Sequence, residues 1–315
     1  MFYILYMKNI YEVQRANKIK SFFIVTFFAV FVALATYVLV RALGIYSGYM
    51  PGNLGIVGIA LFVSGVSSFF GYYYSDKIVL GISGARPANR NNDFVFYTVA
   101  QNISIGAGVP VPKLYVIPDS APNAFATGRD PKHAVICATT GLLEKLDRTE
   151  LEGVIAHEIS HIKNYDTRLM SVVSVMVGLI ALLGDWLMRA SWFGGKSDDD
   201  NRSSTSSIFL VVGIVFAILS PIIGQLIQLA ISRRREYGAD AGAIEITRQP
   251  SGLVSALIKI SSDKEALEVA NKATAHLFVS NPFKDKNQGS VGWFADLFNT
   301  HPPISERIKA LKSMA

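Results

Sequence analysis

Long apolar runs alternate with polar stretches along the chain, and that alternation predicts its layout. After a basic start bearing Lys8, Arg15, Lys18 and Lys20, an apolar run extends from Phe22 to about Val40. A second follows from Leu54 to about Tyr74, after a short loop holding Gly48, Pro51 and Gly52. As helices, both are long enough to cross a hydrocarbon core of about 30 Å, so together they predict a transmembrane hairpin. A cleaved signal peptide is the alternative for the first run. Its apolar region would hold about 7–15 residues, whereas this one continues well past Ala33 and Ala35.

From Ser75 to Asp166 the pattern is that of a soluble domain, opening with a polar linker from Arg86 to Asp93. Lys113 to Pro118 predicts a strand, Asn123 to Gly128 a short strand closed by glycine, and His133 to Ala138 another. Leu151, Val154, Ile155, Ile159 and Ile162 then fall at helical spacing. Asp147 with Glu150 marks the start of that helix as a capping box, with Thr149 as an alternative cap.

Two further apolar runs, Leu169 to about Leu187 and Ile208 to about Ile231, flank a Ser- and Asp-rich loop over 191–207. Both are long enough to span, with Asp185 and Pro221 leaving room for tilt or a kink. A buried core hairpin is the alternative here. The expected organisation is a tail and hairpin over 1–74, a catalytic region over 75–168, a second hairpin over 169–231 and a second catalytic part over 232–315.

Composition supports a membrane protein. Half of the 315 residues are hydrophobic and 17% are charged, against roughly 25% charged in soluble domains. Mean hydropathy is +0.33. The net charge of +6 does not point to nucleic acid, because the basic residues cluster beside apolar runs, as anionic lipid and topology require. With four spans, the N-terminal basic residues, Lys77, Arg86, Arg90 and Arg233 to Arg235 all lie on one side, which predicts cytoplasmic termini and catalytic region. The opposite loops carry Arg41, and then Arg189, Lys196 and Arg202 set among three aspartates. Cys137 is the only cysteine, so no intrachain disulfide forms, and its apolar strand predicts a buried small hydrophobe.

The candidate chemistry lies in His157-Glu158-Ile159-Ser160-His161. Residues four apart share a helix face, so both imidazoles reach one zinc ion while Glu158 stands beside its open position. A catalytic zinc usually has a third protein ligand. Glu236 and Asp240, themselves four apart, suit a ligand and a partner that accepts an N–H from a ligating histidine. An even number of crossings returns Glu236 to the side of His157. Two histidines and a carboxylate make zinc the default among divalent ions. His133 and His276 lie in no such pattern and read as structural or solvent-facing.

These two motifs, together with His301-Pro302-Pro303-Ile304-Ser305-Glu306-Arg307-Ile308, resemble the HtpX-type membrane zinc metalloproteases, relatives of the CAAX prenyl proteases. The resemblance extends over nearly the whole chain. It implies an α-helical membrane protein of about four transmembrane helices in the cell membrane, carrying a mostly helical, α+β, zincin-like catalytic domain that faces the cytoplasm. It implies a gluzincin-like site with one Zn2+ held by His157, His161 and Glu236. It further implies an edge strand of Asn123, Ala124, Phe125 and Ala126 that holds an extended substrate, with His301 and Arg307 near the reacting carbonyl. His301 is the first choice of oxyanion donor, ahead of Tyr237 and Arg307.

The expected activity is hydrolysis of unfolded or misfolded proteins at the bilayer surface, with peptides and lipid as partners and no nucleic acid. A processing protease for lipid-attached peptides and a non-cleaving zinc-dependent scaffold are alternatives. Glu158 argues against the scaffold, since a structural zinc site has no use for a base. A metal transporter would carry its ligands within the spans, and here they flank them.

Overall fold

The computed structural model describes residues 10–47, 52–176, 233–268, 274, 277–279 and 302–314. Two long helices come first, α1 over Ile10–Ser47 and α2 over Asn53–Tyr73, packed along one another. Within them Gln14–Tyr37 and Leu54–Tyr73 are long and apolar enough to cross a membrane. Ile24, Phe28, Ile56 and Ala60 fill the seam between them, while Phe22, Leu34, Leu61 and Phe62 point outward, Phe62 at 73% exposure. A face this apolar is costly in water and suits hydrocarbon.

Residues 166–176 form helix α7 at the start of the third apolar run, and it docks on this hairpin. A Cβ added to Gly71 of α2 would lie 3.3 Å from Cγ1 of Val175, so the glycine admits the close approach. Most of the third predicted span and all of the fourth lie outside the described residues.

After the short helix α3, Ser75–Ile82, the predicted strands assemble into a four-stranded sheet. Its strands are β1, Arg86–Pro87; β2, Lys113–Ile117; β3, Ala124–Thr127; and β4, Val135–Thr139, in the order β1-β2-β4-β3. β2 and β4 are parallel, and the two outer pairings are antiparallel. The stretch read as a polar linker supplies β1, whose Pro87 is tolerated because the strand is at the edge. β3, at the other edge, ends at Gly128 with φ 125. A side chain there would also collide with the backbone of His133 and Ala134, so glycine is required on both counts.

Helix α4, Phe94–Ala107, covers one sheet face, and α5, Thr140–Lys145, leads from β4 towards α6, Arg148–Lys163. Three more helices follow: α8, Arg233–Thr247; α9, Pro250–Ser262; and α10, Ile304–Lys312. Helix α6 is buried nearly throughout, lying between α4 and β3 on one side and α8 and α9 on the other. Val154, Ile155 and Ile159 join Val99, Ile136, Leu142, Leu253 and Leu257 in one core. Cys137 is fully buried on the opposite sheet face with Phe125 and Phe278.

Candidate metal centre

The position of α6 is set at its first turn. Asp147 Oδ1 accepts from Glu150 N and Glu150 Oε2 accepts from Asp147 N, each at 2.9 Å, so the predicted capping box forms with Asp147 as the cap. Glu150 also receives Ser255 Oγ at 2.6 Å and Lys259 Nζ at 2.7 Å from α9. One turn on, Gly153 lets the two helices touch, because a Cβ there would lie 2.6 Å from the backbone nitrogen of Leu253. Helix α8 approaches the other side through Gly242, whose Cβ would strike Ser160 Oγ.

This packing faces His157 and His161 of α6 towards Glu236 and Asp240 of α8, all four buried. His157 Nε2 and His161 Nε2 lie 3.2 Å apart, with the rings edge to face at 88°. Glu236 Oε1 is 3.6 Å from His161 Nε2, and its Oε2 is 3.8 Å from His157 Nε2. One donor atom from each of the three residues falls within 4.8 Å of the others, a group that could hold a metal ion.

Each imidazole is held from behind by a carboxylate. His157 Nδ1 lies 2.9 Å from Asp240 Oδ1, and His161 Nδ1 lies 3.0 Å from Asp166 Oδ2. A proton on each Nδ1 satisfies both carboxylates and leaves the two Nε2 lone pairs facing one another. That arrangement repels itself unless a proton or a metal cation lies between. Two nitrogens bound tetrahedrally to one zinc at about 2.0–2.1 Å would be roughly 3.3 Å apart, so the observed spacing fits that ion.

The surrounding charge agrees. Among the described residues, the buried carboxylates Glu158, Asp166, Glu236 and Asp240 face two largely buried guanidinium groups, Arg235 and Arg307. With both rings neutral and Glu158 ionised, four negative charges against two positive leave an excess equal to that of one divalent ion.

Burial lowers His157, and Arg307 adds to this against the pull of Asp240, which favours the neutral ring. His161 moves the other way. Burial would lower it, yet Asp166, Glu236 and Glu158 carry it up to about 9. The field that retains a proton on His161 equally favours a metal cation, and binding of the metal releases that proton. Burial raises Glu158 to about 7 despite the opposing charge of His161; Glu236 adds to the rise, and Arg307 and the Ala126 N–H restrain it. A carboxyl poised there suits a general base near neutral pH.

The remaining candidate residues are distributed around this group. Arg307 is wholly buried; its Nε and Nη2 donate to Asp240 Oδ2 at 2.9 Å and Oδ1 at 2.6 Å, and its Nη1 lies 3.6 Å from Glu236 Oε2. Nη2 is nearly equidistant from both His157 nitrogens, at 3.4 and 3.5 Å, and therefore lies against the ring face. The resemblance implies Arg307 near the reacting carbonyl, and the structure puts its guanidinium against the carboxylates behind the rings. Tyr237 donates its hydroxyl to Glu306 at 3.1 Å. His301 and His276 lie outside the described residues, and His133 is at the surface with Asp130.

Ala124 and Ala126 turn backbone groups to the outer side of β3, towards α6. Ala124 O accepts Val279 N at 3.0 Å, and the Ala126 N–H lies near enough to Glu158 to favour its charged form. Phe125 points to the far face, edge-on to Phe278. Asp166, which no sequence pattern marks, also belongs to the site: it opens α7 five residues beyond His161, and the turn at Tyr165 folds it back onto that ring.

Residues 95–315 match the model of peptidase family M48. The chain is 46% identical over 311 residues to a "Protease HtpX homolog" of Thermoanaerobacter pseudethanolicus, covering 98% of each protein. It is 43% identical over 309 residues to a second, from Caldanaerobacter subterraneus subsp. tengcongensis, again covering 98% of each. The crystal structure of Ste24p from S. mikatae superposes with a TM-score of 0.47 at 19% identity, over 89% of this chain and 62% of that one. Matching both that family model and full-length HtpX relatives, the chain belongs to peptidase family M48 and is an HtpX-type membrane metalloprotease.

Proposed function

We propose that the protein is a zinc endopeptidase that hydrolyses unfolded or misfolded polypeptides at the membrane surface, with one Zn2+ held by His157, His161 and Glu236. The carrying observation is the pair of Nε2 atoms 3.2 Å apart, with the Glu236 carboxylate beside them and Glu158 next in sequence. Zinc bound there supplies Lewis acidity towards a peptide carbonyl.

The protein's own groups do the rest. Glu158 takes a proton from the attacking water and returns it to the leaving amine, a role matched to a carboxyl held near pH 7. Asp240 and Asp166 keep the Nδ1 protons of His157 and His161 in place, so that Nε2 of each ring faces inward. Arg307 neutralises Asp240 and orients it, and is a positioning residue in this scheme. His301 serves as oxyanion donor.

An extended substrate pairs with the outer edge of Asn123 to Ala126, taking over Ala124 O from Val279 N. Backbone pairing reads little side-chain identity, which suits unfolded clients of many sequences. The two apolar helices, joined by the runs over 169–187 and 208–231, make a four-span protein whose catalytic parts, 75–168 and 232–315, meet on the cytoplasmic side. A broad quality-control role follows from that location.

The test is cleavage by protein reconstituted in vesicles, given one membrane-protein substrate in native and destabilised forms, with cut sites mapped by mass spectrometry. Cuts confined to cytoplasmic-side segments of the destabilised form are expected. Equal cutting of both forms at one fixed sequence would overturn the quality-control role and favour a processing protease.

A further inference from the structure

Helix α1 does more than flank the hairpin: its first turns bind the junction directly after His161. There α6 passes into α7 through Asn164 and Tyr165, and Tyr165 is left-handed with φ 60, uncommon for a residue with a bulky side chain. Three polar side chains of α1, at positions 14, 17 and 18, meet this turn. Gln14 Nε2 donates to Lys163 O at 2.9 Å, Asn17 Nδ2 donates to Asn164 O at 2.9 Å, and Lys18 Nζ lies 4.2 Å over the Tyr165 ring.

The Asn17 amide reaches one step further. Its second hydrogen goes to Asp166 Oδ1 at 2.8 Å, so both N–H bonds are used and the amide is locked. The other oxygen of that carboxylate, Oδ2, faces His161 Nδ1 at 3.0 Å. Asn17 is 3% exposed and Asp166 1%, so water does not compete for either bond. A carboxylate with one oxygen pinned has little freedom to rotate, and the imidazole on its other oxygen inherits that constraint.

We propose that Asn17 is a positioning residue for the metal centre, acting from the cytoplasmic end of a membrane helix through Asp166 on the orientation of His161. The proposal rests on His161 being a zinc ligand. Under it α1 is part of the catalytic apparatus, and a shift of this helix in the bilayer alters how tightly the metal is held.

The experiment uses full-length protein purified in detergent, with zinc affinity measured by chelator competition and ligand geometry by visible absorption of the cobalt-substituted form. Asn17→Ala is expected to weaken zinc binding about tenfold, as loss of an outer-shell bond does, and to shift the cobalt spectrum. Gln14→Ala removes a bond to the same turn that ends on backbone, and should change neither. In an Asp166→Asn background, Asn17→Ala should add no further loss. Asn17→Ser, too short to reach Asp166, serves if Asn17→Ala does not fold. Unchanged affinity in Asn17→Ala, equal losses from Gln14→Ala, or additive losses with Asp166→Asn would each overturn the proposal. If His161→Ala itself retains tight zinc, the ligand assignment fails first, which separates the two outcomes.

Discussion

Asp240 Oδ1 stands between two partners, 2.9 Å from His157 Nδ1 and 2.6 Å from Arg307 Nη2. One buried carboxylate oxygen thus accepts from an imidazole and a guanidinium at once, tying the orientation of the ring to the charge of the arginine. Asp240→Asn removes the charge and offers an amide in its place. Zinc affinity, measured by chelator competition, should fall 10–100-fold, as for other partners of ligating histidines.

Arg307 is predicted to matter for folding as well as for the site. Arg307→Ala leaves Asp240 and Glu236 buried beside one another with their shared counter-charge gone. Breaking one side of a buried pair costs about 3–5 kcal/mol. Arg307→Lys restores charge but not the two-point contact, and should melt between wild type and the alanine variant in a thermal unfolding series.

The sequence displays those parts of the site that are local in the chain. Both histidines and Glu158 fall within five residues, their helix carries its own cap in Asp147 and Glu150, and Glu236 and Asp240 share a face of one later helix. The strands are legible to within one or two residues for the same reason. What is not legible depends on meetings across the fold. Asp166 gains its role only because the turn at Tyr165 folds it back on His161, and Arg307 reaches the rings only through the docking of α10 against α8. β1 is short enough, at two residues, to read as a linker.

Stability should carry an acid dependence from Glu150. Burial alone would raise this carboxyl, but the bonds from Lys259, Ser255 and the Asp147 backbone outweigh it and hold Glu150 below its ordinary value. A folded-state value below the unfolded one gives stability that is present above about pH 4.3 and is lost as pH falls through the folded value. Wild type should therefore melt above Glu150→Gln at pH 7, with the gap narrowing as the pH is taken below 4.

Gly153 offers a purely steric test. In Gly153→Ala the new methyl would meet the backbone of Leu253 at 2.6–2.8 Å, so α6 and α9 must separate. Overpacking of this kind costs about 1–3 kcal/mol, and here the yielding atoms are backbone. A lower melting temperature is expected, together with weaker zinc binding, because the same helix carries His157 and His161.

The most direct measurement compares wild type with Glu158→Gln in detergent, recording zinc per chain and cleavage of an unfolded casein-like substrate. Wild type should hold one zinc and cleave; Glu158→Gln should hold one zinc and not cleave, since the base is lost and His157, His161 and Glu236 remain. A Glu158→Gln protein that cleaves at the wild-type rate, or a wild type that binds zinc and cleaves no unfolded substrate, would contradict the assignment of Glu158 as the base of a zinc endopeptidase.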